Sequence, residues 1–270
     1  MYLYKLSQIY KNAFKILSQM TIAAQYFTVF QCSLAMLAAI ILGMSKAGFS
    51  SISILTVSIL AYIFGMKSST GILLPMLSCA DILAVVYYHR HTQWKQLLNL
   101  LPWMFIGIVL GTWFGKDISE VIFKQLMAGL IFLTVLSMIW SERRDEQKIP
   151  THWAFSSIMG LLAGFTSMVG NLAGAFSNVY FLAMRLPKDQ FIGTVAWLFL
   201  LVNAFKIPFH IFVWHTIRLD SLSINLVLLP FMVLGFFLGI RIVRVINEDH
   251  YRKIIIGITA VVALFILISL

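Results

Sequence analysis

Four apolar stretches of this chain hold polar and charged residues that a greasy segment has no ordinary use for. "MSKAGFSS" (Met44 to Ser51) places Lys46 beside Ser50 and Ser51, and Lys46 is the only formally charged residue between Thr21 and Met66. Asp81 sits in the middle of "ILLPMLSCADILAVVYY" (Ile72 to Tyr88). Further on, "VGNLAGAFSN" (Val169 to Asn178) carries Asn171 and Asn178, and "GTVAWLFLLVNAFKIPFHIF" (Gly193 to Phe212) carries Asn203 and Lys206, which share a helix face one turn apart. Lysine, serine and amide groups near helix N-termini suit one chemistry in particular, the holding of a small anion, because the backbone N–H groups and the helix dipole point the same way. The substrate-binding set expected on this ground is Lys46, Ser50, Ser51, Asn171, Asn178, Asn203 and Lys206. Asp81 would balance their charge and exchange protons. No residue is assigned a catalytic or metal-binding role, and the reading calls for no cofactor.

Each of these residues has a plainer alternative. Lys46 could snorkel from the turn of a helical hairpin, and Lys206 from the last third of its own helix. Asp81 could serve only as a structural ion pair with Lys46 or Lys206. A buried charge near the bilayer midplane costs about 2.5–3.5 kcal/mol even on lenient scales, so such residues face a partner or a watery cavity.

The elements that position them are membrane spans. The 270 residues are 60% hydrophobic and 11% charged, with a mean hydropathy of +0.92. A soluble domain is about a quarter charged, so the chain is expected to be an all-α polytopic membrane protein. Candidate spans of about 20 apolar residues lie near 22–43, 47–65, 70–88, 98–115 and 121–140, and again near 152–169, 172–184, 190–213, 222–240 and 254–270. That gives eight to ten segments. Two spans and a turn do not fit into His152 to Met184, so short or broken helices are expected there, which at membrane depth are tolerated only where they line a cavity or are buried.

Residues 1–20 alternate Leu6, Ile9, Tyr10, Ala13 and Leu17 with Lys5, Lys11, Asn12 and Lys15 at helical spacing, which predicts an amphipathic interfacial helix rather than a signal peptide. The formal charge of +10 lies mostly in short loops, where it suits the positive-inside rule and anionic lipid and argues against nucleic acid. Cys32 and Cys79 form neither a disulfide framework nor a metal pair. The histidines, His210 among them, lie at segment ends and read as interfacial. No Walker loop, nucleophile elbow or HExxH occurs, so the chain is not expected to be an enzyme.

The chain also repeats itself. "LPWMFIGIVLG" (Leu101 to Gly111) matches "LPFMVLGFFLG" (Leu229 to Gly239) at an offset of 128 residues. Residues 21–140 and 152–270 are read as two homologous transmembrane halves, joined by the charged linker 141–151 and inverted relative to each other. Such repeats are common in secondary transporters, with the site at their interface. Counting ten spans puts Lys67 and Arg218 on one face, and Arg90, Lys95, Arg185, Lys188, Arg241 and Arg244 on the other, which the positive-inside rule makes cytoplasmic.

Taken in order, "GMSKAGFSS", "GILLPMLSCADILAVVYYHRHTQW" and "TSMVGNLAGAFSNVYFLAMRLPKDQFIGTVAWLFLLVNAFKIPFHI" resemble the TauE/SafE sulfite-exporter family, the TSUP permeases. The shared features fall on Asn171, Ala173, Gly174, Tyr180, Gly193, Thr194, Ala196, Asn203, Lys206 and Pro208. Ala175 and Phe181 depart from the family pattern. The resemblance implies a multi-pass protein of the cell membrane, in bacteria the inner membrane, that moves small sulfur-containing anions such as sulfite or organosulfonates. The expected partners are that anion and membrane lipid, with a homodimer left open. Two rivals remain: a proton- or sodium-coupled uptake permease for a related oxyanion, and a non-transporting membrane scaffold.

Overall fold

The computed structural model describes residues 29–114 and 152–247, together with 250, 251, 253–258 and 261. The amphipathic segment 1–20, the segment near 121–140 and the linker 141–151 lie outside the described residues. What is described is all-α: α1 (Val29–Lys46), α2 (Ser53–Phe64), α3 (Met66–Tyr88), α4 (Trp94–Phe114), α5 (Trp153–Gly170), α6 (Ala173–Ala183), α7 (Lys188–Phe212) and α8 (Leu219–Val245). Six of these are long and apolar enough to cross a membrane, α2 and α6 being the short ones.

The short helices follow two breaks, each with a local cause. After α1, Gly48 adopts φ +142°, a conformation that side chains rarely take, and the chain passes through a single 3₁₀ turn (Ser50–Ile52) into α2. After α5, Asn171 takes the left-handed conformation (φ 55°, ψ 30°), which asparagine tolerates better than most residues. Its N–H bonds back to Ser167 O, and Leu172 N–H to Thr166 O, which satisfies the last carbonyls of α5. At the first break the exposed carbonyls find hydroxyls instead. Tyr88 donates to Ala47 O at 3.0 Å and Tyr251 to Gly48 O at 2.5 Å.

Helix pairs close around glycines. On α4, Gly107 and Gly111 face Leu161, Phe165 and Met168 of α5, while Gly160 and Gly164 of α5 face Leu100, Trp103 and Met104 of α4, so the two helices run parallel with their backbones in contact. The same arrangement recurs between α1 and α8. Gly235 and Gly239 of α8 face Ile40 and Met44 of α1 and Ala47 just beyond its end, and Gly43 of α1 faces Met232 and Phe236. The repeated motif of the sequence is therefore a repeated interface: its glycines and its methionine touch the partner helix in both places. In a bilayer, where apolar burial between helices gains little, such small-residue contacts carry the packing.

Between these pairs, α3 and α7 cross the middle antiparallel. A Cβ on Gly71 would strike the carbonyl of Thr216, and one on Gly193 would lie 2.7 Å from the carbonyl of Tyr88. Lys188 Nζ donates to Val243 O and Ile246 O, and Arg244 to the Tyr87 hydroxyl, so Arg90, Lys188 and Arg244 share one end of the bundle. Lys67 and Arg218 share the other, where α3 starts and α7 gives way to α8.

Substituting alanine at Gly164 or Gly235 forces a methyl into a neighbouring backbone, an overpacking cost of about 1–3 kcal/mol. Thermal unfolding in detergent should show both variants lowered, while Gly257→Ala, where nothing lies within 4 Å, stays at the wild-type midpoint.

Candidate functional site

At the end of α1, Lys46 turns into the bundle and not to its surface. Its Nζ lies 2.6 Å from Asp81 Oδ1 of α3 and 4.2 Å from the centroid of the Phe199 ring on α7. The C-terminal end of a helix is the right place for a cation, since the dipole is negative there. The snorkelling hairpin lysine is thus replaced by a buried ion pair, and Asp81 has no exposed surface at all.

Asp81 is shared. Its second oxygen accepts from Asn203 Nδ2 at 2.6 Å, across the α3–α7 crossing. Asp81 and Asn203 stand 122 residues apart in the chain, the same separation as Gly71 and Gly193 at the two ends of that crossing. One turn along α7, Lys206 is wholly buried and does not snorkel. Its Nζ donates to Asn171 Oδ1 at 2.6 Å, to Ser167 Oγ at 3.2 Å and to Asn203 Oδ1 at 3.4 Å. A continuous chain of contacts therefore runs Lys46, Asp81, Asn203, Lys206, Asn171. It contains two amines and one carboxylate, one formal positive charge in excess.

The break after α5 aims Asn171 at Lys206, and the break after α1 leaves Lys46 at a helix end, so the two interruptions are what bring the cluster together. Ser50 Oγ donates to Asn178 Oδ1 at 2.8 Å, which ties the first break to α6. The first turn of α6 has no side-chain cap, and its Gly174 lies beside Ser50, Asn178 and Phe199, the ring on which Lys46 rests. Asn171 keeps one unspent donor: its Nδ2 is buried without a hydrogen-bond partner. An amide in that state is costly unless something accepts from it.

Beside Lys46, Ser45, Ser50, Phe199 and Tyr251 line a cavity of about 10 Å³, room for about one water. That is too small for an oxyanion.

Of the expected residues, Lys46, Asp81, Asn171, Asn203 and Lys206 meet in one cluster, Ser50 and Asn178 pair with each other next to it, and the side chain of Ser51 lies outside what the structure describes. Three participants escape the sequence reading. Ser167 and Phe199 are ordinary in apolar helices, although Ser167 stands four residues before Asn171 and Phe199 four before Asn203. His210, read as interfacial, is fully buried, with its Nδ1 2.8 Å from Thr216 Oγ1. It lies one turn beyond Lys206, a spacing that could have flagged it.

Breaking one side of a buried ion pair costs about 3–5 kcal/mol, whereas replacing both partners with apolar residues of similar size is often neutral. Asp81→Leu and Lys46→Met should each lower the unfolding midpoint sharply, and the double variant should recover most of the loss. Midpoints measured in detergent for the three variants check this; additive losses would count against the pair.

A family model described as "Sulfite exporter TauE/SafE" matches residues 34–266, which include every residue of this cluster. The curated proteins and the solved structures that were compared give no match. On the breadth of the family match, with the all-α membrane bundle beneath it, the chain belongs to the TauE/SafE sulfite-exporter family of membrane transporters.

Proposed function

We propose that this protein is a secondary exporter of a small sulfur-containing anion, sulfite or an organosulfonate, bound at the cluster between α1, α3, α5 and α7. The observation that carries this reading is the pairing of an excess positive charge with an unspent donor, Asn171 Nδ2, deep inside an apolar bundle. A full cationic pocket would trap its ligand. Two amines offset by one carboxylate, with neutral amides around them, give an attraction weak enough for release.

The route to binding is rearrangement of the breaks. Parting α1 from α3 frees Lys46 from Asp81, and the released amine and Asn171 then take anionic oxygens in place of protein partners. Lys46 exchanges one partner for another, and Asp81, still accepting from Asn203, takes up a proton as Lys46 leaves it, so that no bare charge is left buried. Export needs no ATP. An interior-negative potential favours exit of a monoanion by about 2.3 kcal/mol per 100 mV.

The inverted-repeat reading has support of the same kind. Asp81 and Asn203 face each other at the 122-residue separation, on helices that run in opposite directions, as counterparts of two inverted halves would. A site at the axis between such halves can open to either side by the same motion.

Flux of labelled sulfite and alkylsulfonate, with sulfate as comparison, in proteoliposomes under imposed potentials is the test. Wild type should show saturable, potential-sensitive flux. The stability-compensated pair Lys46→Met with Asp81→Leu should lose it. Asn171→Gly keeps the left-handed backbone and deletes the amide, both its donor to the anion and its acceptor for Lys206, and should raise the half-saturation concentration about tenfold or more. Flux driven only by a proton or sodium gradient would replace export with coupled uptake. Flux unchanged in all variants would move the site elsewhere, and no flux of any anion would favour the scaffold.

A further inference from the structure

The first break is held by residues distant in the chain. The carbonyls of Ala47 and Gly48 lie past the last turn of α1, and two buried tyrosines reach them. Tyr88 comes from the end of α3 and Tyr251 from the segment that follows α8, and their hydroxyls donate to Ala47 O and Gly48 O. Tyr88 stands seven residues after Asp81, about two turns along α3 and on the same face. Helix α3 therefore grips the end of α1 at two adjoining residues, Lys46 through its ammonium and Ala47 through its carbonyl.

The small cavity beside Lys46 follows α7. Phe199, Ala196 and Ile192, spaced three and four apart, line it from the level of Lys46 toward the start of α7, where Lys188 binds the carbonyls of Val243 and Ile246. Phe191 and Tyr251 also line it, with their rings 6.0 Å apart. A Cβ on Gly48 would lie 3.0 Å from Val243 and 3.2 Å from Ile192, so the break itself is packed into this end. The cavity and the two tyrosines thus lie between Lys46 and the end of the bundle that carries Arg90, Lys188 and Arg244.

We infer that Tyr88 and Tyr251 are the latch of a gate on this side of the site. Their hydroxyls hold the first break closed, and when they let go the end of α3 draws off α1 and the cavity opens toward Arg90, Lys188 and Arg244. The part of the latch in transport rests on the exporter reading above, since the parting of α1 from α3 that frees Lys46 also breaks the Tyr88 bond; the latch itself does not rest on it. Two single hydrogen bonds suit this task. Water can replace each of them in the open state, whereas a glycine interface comes apart only over many contacts at once.

The test reads access to the cavity by labelling. With Cys32 and Cys79 replaced by alanine, Ser45→Cys puts a thiol of nearly unchanged size on the cavity wall. A membrane-impermeant, sulfonate-bearing methanethiosulfonate is applied to one face or the other of sealed, oriented vesicles, and Arg90→Cys, at an exposed position, reports which face is which. Ser45→Cys should react slowly. Tyr88→Phe and Tyr251→Phe each delete one hydroxyl, and each should speed the reaction about fivefold and the two together about thirtyfold, the factors that one and two net hydrogen bonds make in an equilibrium. That speeding should be seen only from the face on which Arg90→Cys reacts. Tyr180→Phe, whose hydroxyl lies 3.4 Å from Ser156 Oγ and from Gln96 O, should leave the rate unchanged. An unchanged rate in the double variant, an equal rise in Tyr180→Phe, or a rise seen also from the opposite face would overturn the inference. Because labelling needs no flux, a latch that opens in a protein that moves no anion would fail the exporter reading and leave the latch standing. Anion flux in a protein whose labelling ignores both tyrosines would do the reverse.

Discussion

Two lysines and one aspartate are buried together inside the bundle, and the rest of the described helices are arranged around that fact. A lone ammonium or carboxylate in such a place is costly enough to be excluded. Here each charge is answered: Lys46 by Asp81 and the Phe199 ring, Asp81 by Lys46 and Asn203, Lys206 by Asn171 and Ser167. Those answers come from α1, α3, α5 and α7 at once. The cluster therefore demands that four helices reach the same point.

The glycine interfaces and the two breaks make that convergence possible. Backbone contact at Gly107, Gly164, Gly43 and Gly235 draws the helices closer than larger side chains would allow. The interruptions at Gly48 and Asn171 then leave helix ends, rather than helix sides, at the centre. A helix side offers only side chains, whereas an end also offers backbone groups and a hinge. The same features that hold the charges in place thus provide the points about which the bundle can open.

Much of this was legible in the sequence, for a physical reason. A charge in an apolar run is anomalous, so Lys46, Asp81 and Lys206 announced themselves, and the shortage of residues between His152 and Met184 announced broken helices. The repeated LPxMxxGxxLG pattern announced a repeated contact, though not which helix it would touch. What stayed hidden depends on register between distant helices. Nothing local says that Asp81 faces Asn203, or that Lys46 ends a helix instead of sitting at a surface turn. His210 looked interfacial because its segment ends nearby, and only the return of the chain at Thr216 buries it. Ser167 and Phe199 act through residues one turn away, so they become visible only once the face of the helix is known.

In the proposed site, an excess positive charge, buried and amide-lined, is what the anion binds. Direct titration of the purified protein with ethanesulfonate, followed by calorimetry, tests it without the complications of flux. Wild type should bind saturably, and Lys206→Met, which removes the excess charge while leaving the Lys46–Asp81 pair intact, should abolish that heat. Equal binding by the variant would place the anion away from the cluster.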